Sequence, residues 1–256
     1  LPPGVINFIS GAGRSTMGPI MQSGVVDVLG FIGGDKGADA LIRAHPQPHR
    51  LKVFAQLGAK NLGIVLPDAD LDVATAQCTL GSLSYNGQRC TAIKLIMVHS
   101  SVADEFVQKL VQKVAALKVG LPWEDGVSIT PLPETNKPKI VEGLIGDALS
   151  KGGVLANAAE GGGKLAGALM TPAVVDHVTP SMKLFHEEQF GPVVPVARYD
   201  KIEDVISAIK ASWSGQQAAI FTRDAKAAAP IVDTLSTVVG RININTQCGR
   251  SPDVVP

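Results

Sequence analysis

Cys90 lies in the run Asn86-Gly87-Gln88-Arg89-Cys90-Thr91-Ala92, between a helical pattern and an apolar one. A cysteine in a glycine-containing loop beside an arginine has the setting of a nucleophile. A neighbouring cation favours the thiolate, and the thiolate is the form that attacks a carbonyl carbon. The same spacing suits a buried structural cysteine, and spacing alone does not choose between them. Cys78 falls inside the preceding helical pattern as core, and Cys248 in a polar loop without an evident base. Gly33-Gly34-Asp35-Lys36-Gly37 follows an apolar run and opens a helical pattern. Glycines there let backbone N–H groups approach a phosphate, or simply make a tight turn. Glu187-Glu188 precedes Gln189-Phe190-Gly191-Pro192, a paired carboxylate that suits acid–base work or a solvated helix start. Arg250, in the polar segment 246–253, either grips an anion with its two-pronged guanidinium or is exposed.

These residues need elements to hold them. Short apolar runs predict strands over 5–9, 25–32, 62–66, 92–99, 173–178, 193–197, 218–222 and 240–245. Helical spacing predicts helices over 16–22, 38–44, 71–84, 101–117, 136–150, 202–212 and 225–235. In the helix over 101–117 Val102, Phe106, Leu110, Val114 and Leu117 form one stripe, with Ser100 or Ser101 as N-cap. In the helix over 136–150 the expected buried face is Ile140, Leu144, Ile145 and Ala148. Strands alternating with helices make an α/β protein with a largely parallel sheet. Gly161-Gly162-Gly163 reads as a loop insertion, because its flanks keep the same rhythm.

Composition removes several classes of function. Lys plus Arg and Asp plus Glu are 23 each, so there is no net charge to grip nucleic acid. At 4% aromatics, stacking platforms for bases are scarce. Three cysteines make no disulfide framework and show no metal spacing. His45 and His49 stand four apart, but Pro46 and Pro48 turn that stretch into a loop rather than a metal-binding helix. No apolar run is long enough to span a membrane, and no signal peptide opens the chain. The chain starts at Leu1 in mid-pattern and stops at Pro256 without a cap, as a piece of a longer protein would.

In this order and spacing, the segments resemble the aldehyde dehydrogenase superfamily over nearly the whole chain. Phe31-Ile32-Gly33-Gly34 stands where the family has a Phe-Thr-Gly-Ser/Gly turn. Ala55-Gln56-Leu57-Gly58-Ala59-Lys60 stands for Leu-Glu-Leu-Gly-Gly-Lys. Gly87-Gln88-Arg89-Cys90 is similar to the Gly-Gln-x-Cys nucleophile loop, and residues 187–192 to Glu-Glu-x-Phe-Gly-Pro. Residues 84–94, 101–104 and 129–131 and Arg250-Ser251-Pro252-Asp253 are similar to the NADP-dependent, non-phosphorylating glyceraldehyde-3-phosphate dehydrogenases. The resemblance implies that residues 1–57 end a Rossmann-like cofactor-binding domain and residues 58–256 form the catalytic domain. It implies that Cys90 attacks an aldehyde, passes through a thioester and gives a carboxylate. Its backbone N–H would be one oxyanion donor, the other being an asparagine upstream of Leu1. Gly33 and Gly34 would lie near the cofactor pyrophosphate, Glu188 on the nicotinamide ribose, Phe190 beside the nicotinamide, and Leu57 as a further cofactor contact. Arg89 and Arg250 would hold a substrate phosphate. The implied cofactor is NADP, with NAD as an alternative, and the implied partner a small phosphorylated aldehyde. Assembly as a dimer or homotetramer when full length and a cytoplasmic location, or an organelle, follow from the same resemblance.

Two positions depart from the family pattern. The family's general base is a glutamate, and here that position is Gln56. A carboxamide orients water but takes no proton at neutral pH. Ala59 replaces the second glycine. Two further readings follow from Gln56: a CoA-acylating semialdehyde dehydrogenase, in whose branch Leu-Gly-Ala-Lys-Asn also occurs, and a catalytically inactive homologue serving as a structural or interaction module.

Overall fold

Four runs that are apolar on both faces become interior strands of one sheet, which is what a parallel sheet covered by helices requires. The computed structural model describes residues 1–249, and the chain divides into two units at Gly58 and Ala59. The first unit contains α1 (Gly13–Gln22), β1 (Val28–Gly33), α2 (Asp35–Ala44) and β2 (Lys52–Leu57). β1 and β2 pair in parallel, from Val28 opposite Lys52 to Gly33 opposite Leu57, with α2 as the crossover. Met21, Leu29 and Leu51 are the buried centre, and Phe31, Leu41 and Ile42 pack on it. Alternate residues of the pair, Val28, Ile32 and Phe54, are exposed.

The second unit holds β3 (Asn61–Val65), α3 (Leu71–Leu83), β4 (Ile93–His99), α4 (Ser100–Ala115), β5 (Lys118–Val119), β6 (Val127–Ile129), α5 (Lys137–Ser150) and β7 (Val154–Leu155). It continues with β8 (Leu165–Ala166), β9 (Leu169–Met170), β10 (Ala173–Asp176), α6 (Lys183–His186), β11 (Val193–Tyr199), α7 (Ile202–Ala211), β12 (Gln217–Phe221), α8 (Ala225–Ser236) and β13 (Arg241–Ile244). Seven strands form one sheet in the order β13-β12-β3-β4-β11-β10-β7. All neighbours are parallel except β7, which runs antiparallel to β10. Ala74, Cys78, Phe106, Leu110 and Val114 of α3 and α4 share a buried cluster with Ile96, Val98, Val194 and Val196. Val141, Ile145, Val205, Ile209 and Ile231 of α5, α7 and α8 share another with Leu95, Met97, Val175 and Ala197. Adjacent strand residues therefore feed opposite faces, as the two-residue period of a strand demands. Asp70 caps α3 by accepting from the N–H groups of Asp72 and Val73.

The pairing of β3 with β4 contains one irregularity. Asn61 pairs with Ile93 and Leu62 with Leu95, so Lys94 is an extra residue at the start of β4. Such a bulge turns the side chain it carries away from the regular alternation.

Several expectations are corrected. Residues 5–9 form no strand; Val5, Ile6, Phe8 and Ile9 are exposed, and no described strand pairs with them. Apolar residues alone do not make a strand without a ladder to join. β2 was absent from the expected strands, because Lys52–Leu57 is almost wholly exposed and lacks an apolar alternation. α4 is capped by His99, whose Nδ1 accepts from the Ser101 N–H at 3.3 Å. Ser100 instead donates to the Tyr199 carbonyl. The buried face of α5 includes Pro138 and Val141 but not Ile140, which is exposed. Positions 141, 144, 145 and 148 carry the three-and-four spacing that a single stripe needs. His45 lies just past α2, with Nε2 3.0 Å from the Val26 carbonyl, in a structural role. No helix among the described residues is long and apolar enough to cross a membrane.

Phe106 is fully buried in the cluster under α4. Phe106→Ala is expected to destabilise the second unit by about 3–5 kcal/mol. Urea denaturation followed by circular dichroism measures this, as a lower midpoint with an unchanged slope.

Candidate active site

The end of α3 runs into a tight turn, Ser84–Gly87, before the chain enters β4. Tyr85, Asn86 and Gly87 have φ of 53°, 59° and 69°, three left-handed residues in succession. For Tyr and Asn this costs free energy that the surroundings must offset. Asn86 is buried and pairs with Thr130 as a strand residue would. Its Oδ1 accepts from the Thr130 N–H at 2.9 Å, and its Nδ2 donates to the Thr130 carbonyl at 3.1 Å. At Gly87 a Cβ would lie 2.6 Å from the Gly191 oxygen and 2.7 Å from that of Ser82, so the position has no room for one. The turn thereby packs against the segment that carries Glu188 and Phe190.

Cys90 follows this turn and is half-buried. Its carbonyl accepts from Asn61 Nδ2 at 2.7 Å and from Lys94 Nζ at 3.0 Å. Asn61 Nδ2 also donates to the Ala92 carbonyl, and its Oδ1 accepts from the Gln217 N–H. The start of β3 therefore clamps both sides of the cysteine. Arg89 places its guanidinium 5.7 Å from the Tyr85 ring centre, within cation–π range. Its Nη2 makes only long bonds, 3.3 Å to Gln247 Oε1 and 3.5 Å to the Gly81 carbonyl. Its Nε is buried and has no hydrogen-bond partner among the described residues.

Glu188 lies 3.0 Å from Lys94 Nζ through Oε1, and the same oxygen accepts from the Ala59 N–H at 3.1 Å. Lys94 is 1% exposed at its side chain, against 28% for Glu188. Burial pulls the Lys94 pKa down, and the carboxylate of Glu188 opposes that fall. Lys60 is buried beside it and donates to the Glu187 carbonyl and to Gln189 Oε1, each at 2.8 Å. Burial first and the Lys94 charge second hold the Lys60 ammonium well below the usual lysine range. Gln189 Nε2 donates onward to the carbonyls of Lys94 and Val193. Phe190 has a φ of 41° and sits within cation–π range of two ammonium groups, Lys94 at 5.9 Å and Lys137 at 5.6 Å.

The three cysteines separate by environment. Cys78 and Cys248 are fully buried. Burial raises the Cys78 thiol well above its ordinary value and pushes that of Cys248 up to about 12. Both are thereby kept as unreactive thiols. Cys248 lies in a polar loop, as expected, and is buried there. The segment folds inward because Gln77 and Gln217 accept from the N–H groups of Gln247 and Gly249, each at 3.0 Å. Among the described residues, no group of three or more His, Cys, Asp or Glu could hold a metal ion.

In the second unit the structure brings together Arg89, Cys90, Glu188 and Phe190. The first unit gathers Gly33, Gly34, Gln56 and Leu57 at the carboxyl ends of its two strands, with Gln56 opposite Ile32 and Leu57 opposite Gly33. Gly34 heads α2, and a Cβ there would meet no atom within 4 Å, which leaves space over the helix start. Arg250 lies outside the described residues. Sequence reasoning did not single out Lys94, Asn61 or Gln189 as members of the site. One signal was available: a lysine inside the apolar run from Ala92 to Val98.

Known proteins share this chain's sequence pattern and fold. A sequence model described as the aldehyde dehydrogenase family matches residues 1–256. NADP-dependent glyceraldehyde-3-phosphate dehydrogenase of Zea mays is 39% identical over 252 residues, 98% of this chain and 48% of that protein. The enzyme of the same name from Streptococcus equinus is 38% identical over 258 residues, 100% of this chain and 52% of its own length. The chain thus spans about half the length of the curated relatives it matches. The crystal structure of the NADP-dependent glyceraldehyde-3-phosphate dehydrogenase from Bacillus halodurans C-125, complexed with NADP, superimposes with a TM-score of 0.88 at 37% identity, over 96% of this chain and 49% of that one. The glyceraldehyde-3-phosphate dehydrogenase GapN from Methanocaldococcus jannaschii, also complexed with NADP, gives 0.90 at 30% identity, over 100% of this chain and 54% of that one.

Gly87→Ala is expected to cost about 1–3 kcal/mol of stability, because a methyl group meets two backbone oxygens in a left-handed position. It is also expected to change the rate at which iodoacetamide alkylates Cys90. Chemical denaturation and mass spectrometry of the Cys90 peptide measure the two effects.

Proposed function

The chain belongs to the aldehyde dehydrogenase family, and from that premise we propose that it carries the nucleophile loop of an NADP-dependent oxidation of glyceraldehyde 3-phosphate to 3-phosphoglycerate. The observation that carries the substrate reading is Arg89. It stands next to Cys90 with a buried Nε–H that has no acceptor among the described residues. Spare donors of a fixed, always-charged fork beside a nucleophile suit a phosphate group on the substrate. Arg250 is the second phosphate ligand in this reading.

In the proposed reaction Cys90 Sγ adds to the aldehyde carbon, and the carbonyl electron pair moves onto oxygen. The Cys90 N–H is one donor to that oxyanion. NADP, when bound, accepts the hydride that leaves the same carbon. Cys90 is then left as a thioester. Water adds to the thioester carbon, the C–S bond breaks, and the product leaves as a carboxylate. The residues present suit the cofactor. Glu188 makes both of its contacts with described residues through Oε1, so Oε2 is available to a ribose hydroxyl. In the first unit, Gly34 at the N-terminus of α2 has no atom within 4 Å of where a Cβ would stand, which suits the approach of a pyrophosphate, while the Phe31 ring lies against Gly33. Leu57 and Phe190 are the apolar cofactor contacts. The first unit corresponds to the end of the cofactor domain and the second to the catalytic domain. Assembly as a dimer or tetramer and a cytoplasmic or organellar location belong to the same reading.

Gln56 favours two other outcomes. In place of the family glutamate, it leaves the water of the last step without a base. Loss of a general base costs on the order of 10²–10⁴ in rate. A CoA-acylating enzyme needs no such water, and an inactive homologue needs no chemistry at all.

With the complete protein, glyceraldehyde 3-phosphate and NADP, the expected result is a burst of one NADPH per chain followed by slow turnover. Gln56→Glu is expected to raise the slow phase by roughly 10²–10⁴. Stopped-flow absorbance reads both. Rapid turnover of an unphosphorylated semialdehyde on addition of CoA would replace this reading with the CoA-acylating one. Absence of any burst would leave the inactive homologue. Arg89→Leu is expected to raise KM for glyceraldehyde 3-phosphate at least about tenfold more than KM for glyceraldehyde. Initial rates on the two aldehydes provide the comparison.

A further inference from the structure

We propose that Lys94 is a positioning residue that sets the Glu188 carboxylate for the cofactor ribose while holding the Cys90 peptide in place. An ammonium has three N–H donors. Lys94 uses them on the Arg89 carbonyl at 2.7 Å, the Cys90 carbonyl at 3.0 Å and Glu188 Oε1 at 3.0 Å. Two of these acceptors belong to the nucleophile loop, and the third is the carboxylate assigned to the ribose. The side chain reaches them because Lys94 is the bulged residue of β4. A regular strand would give its position to one of the apolar faces, as it does for Leu95 and Ile96.

The direction of the contacts matters. Both donors that reach Glu188, Lys94 Nζ and the Ala59 N–H, go to Oε1. Together they anchor Oε1 and leave Oε2 without a donor among the described residues. The same ammonium also lies 5.9 Å from the centre of the Phe190 ring. One buried cation therefore touches the backbone of the nucleophile, the ribose carboxylate and the aromatic contact. A lysine that merely filled space would stabilise the loop without its effect depending on Glu188.

This inference rests on the reading that Glu188 takes the ribose of NADP, and a double-mutant cycle separates the two. NADP affinity is measured by isothermal titration on the complete protein as wild type, Lys94→Met, Glu188→Gln and the double variant, with folding checked by circular dichroism. Lys94→Met and Glu188→Gln are each expected to weaken NADP about tenfold or more. The double variant is expected to be no more than about threefold weaker than the weaker single variant, because both changes remove one arrangement. Lys94→Gln, which retains two donors, is expected to fall between wild type and Lys94→Met, and it replaces Lys94→Met in the cycle if that variant does not fold. Saturable binding by the wild type with multiplicative losses in the double variant overturns the role of Lys94 alone. So does a folded Lys94 variant that binds NADP as the wild type does. Absence of saturable NADP binding by the wild type overturns both readings.

Discussion

The ammonium of Lys94 is a charge placed where water does not reach, and the geometry around it follows from that. Moving such an ion out of water costs several kcal/mol, which only a counter-ion and a full set of acceptors can offset. Here the acceptors come from two distant stretches, the loop at Arg89-Cys90 and the segment at Glu188. Neither stretch can move without stranding the cation, and stranding a buried partner costs about 3–5 kcal/mol. Asn61 and Lys60, at the opening of β3, complete the lock by holding the Cys90 carbonyl and the Gln189 side chain. The half-buried Cys90 thus sits on a backbone tied by hydrogen bonds to the buried side chains of Asn61 and Lys94.

This frame is built at an uncommon place for an open α/β sheet. Ligands of such sheets usually bind beyond the carboxyl ends of the strands. In the second unit, Ala59 and Lys60 precede β3, Cys90 precedes β4 and Glu188 precedes β11, so the candidate site collects at the amino ends. The first unit follows the usual rule, with Gly33, Gly34 and Leu57 at the carboxyl ends of β1 and β2. Strand beginnings expose N–H groups that a helix or loop must satisfy or spend on a ligand. The Ala59 N–H is one of these, and it is satisfied by the Glu188 carboxylate.

How far the sequence discloses this depends on the kind of force involved. The sheet was legible because a parallel interior strand must be apolar on both sides, and 62–66, 92–99, 193–197 and 218–222 are. Helices with a clean stripe, such as α4, were legible for the same reason. Residues 5–9 misled because their apolar character has no partner strand, and β2 was hidden because pairing rather than burial defines it. In the candidate site, Cys90, Arg89 and Glu188 were singled out by residue type and motif. Lys94 did not, since its role comes from a one-residue slip in the pairing of β3 with β4. The burial of Cys248 was not legible, because two glutamine side chains far away in sequence draw its polar loop inward.

Asn86-Gly87 is the dipeptide in which an asparagine side chain most readily cyclises onto the next backbone nitrogen and emerges as aspartate. In the folded chain the reaction is obstructed twice. The amide of Asn86 is held on both sides by Thr130, and the Gly87 backbone is wedged between Ser82 and Gly191. An unfolded or newly made chain has no such protection. Once deamidated, an aspartate at this position can no longer donate to the Thr130 carbonyl, and the left-handed turn loses the bond that offsets its cost. Time spent unfolded therefore accumulates chains whose Ser84–Gly87 turn lacks one of the bonds that shape it.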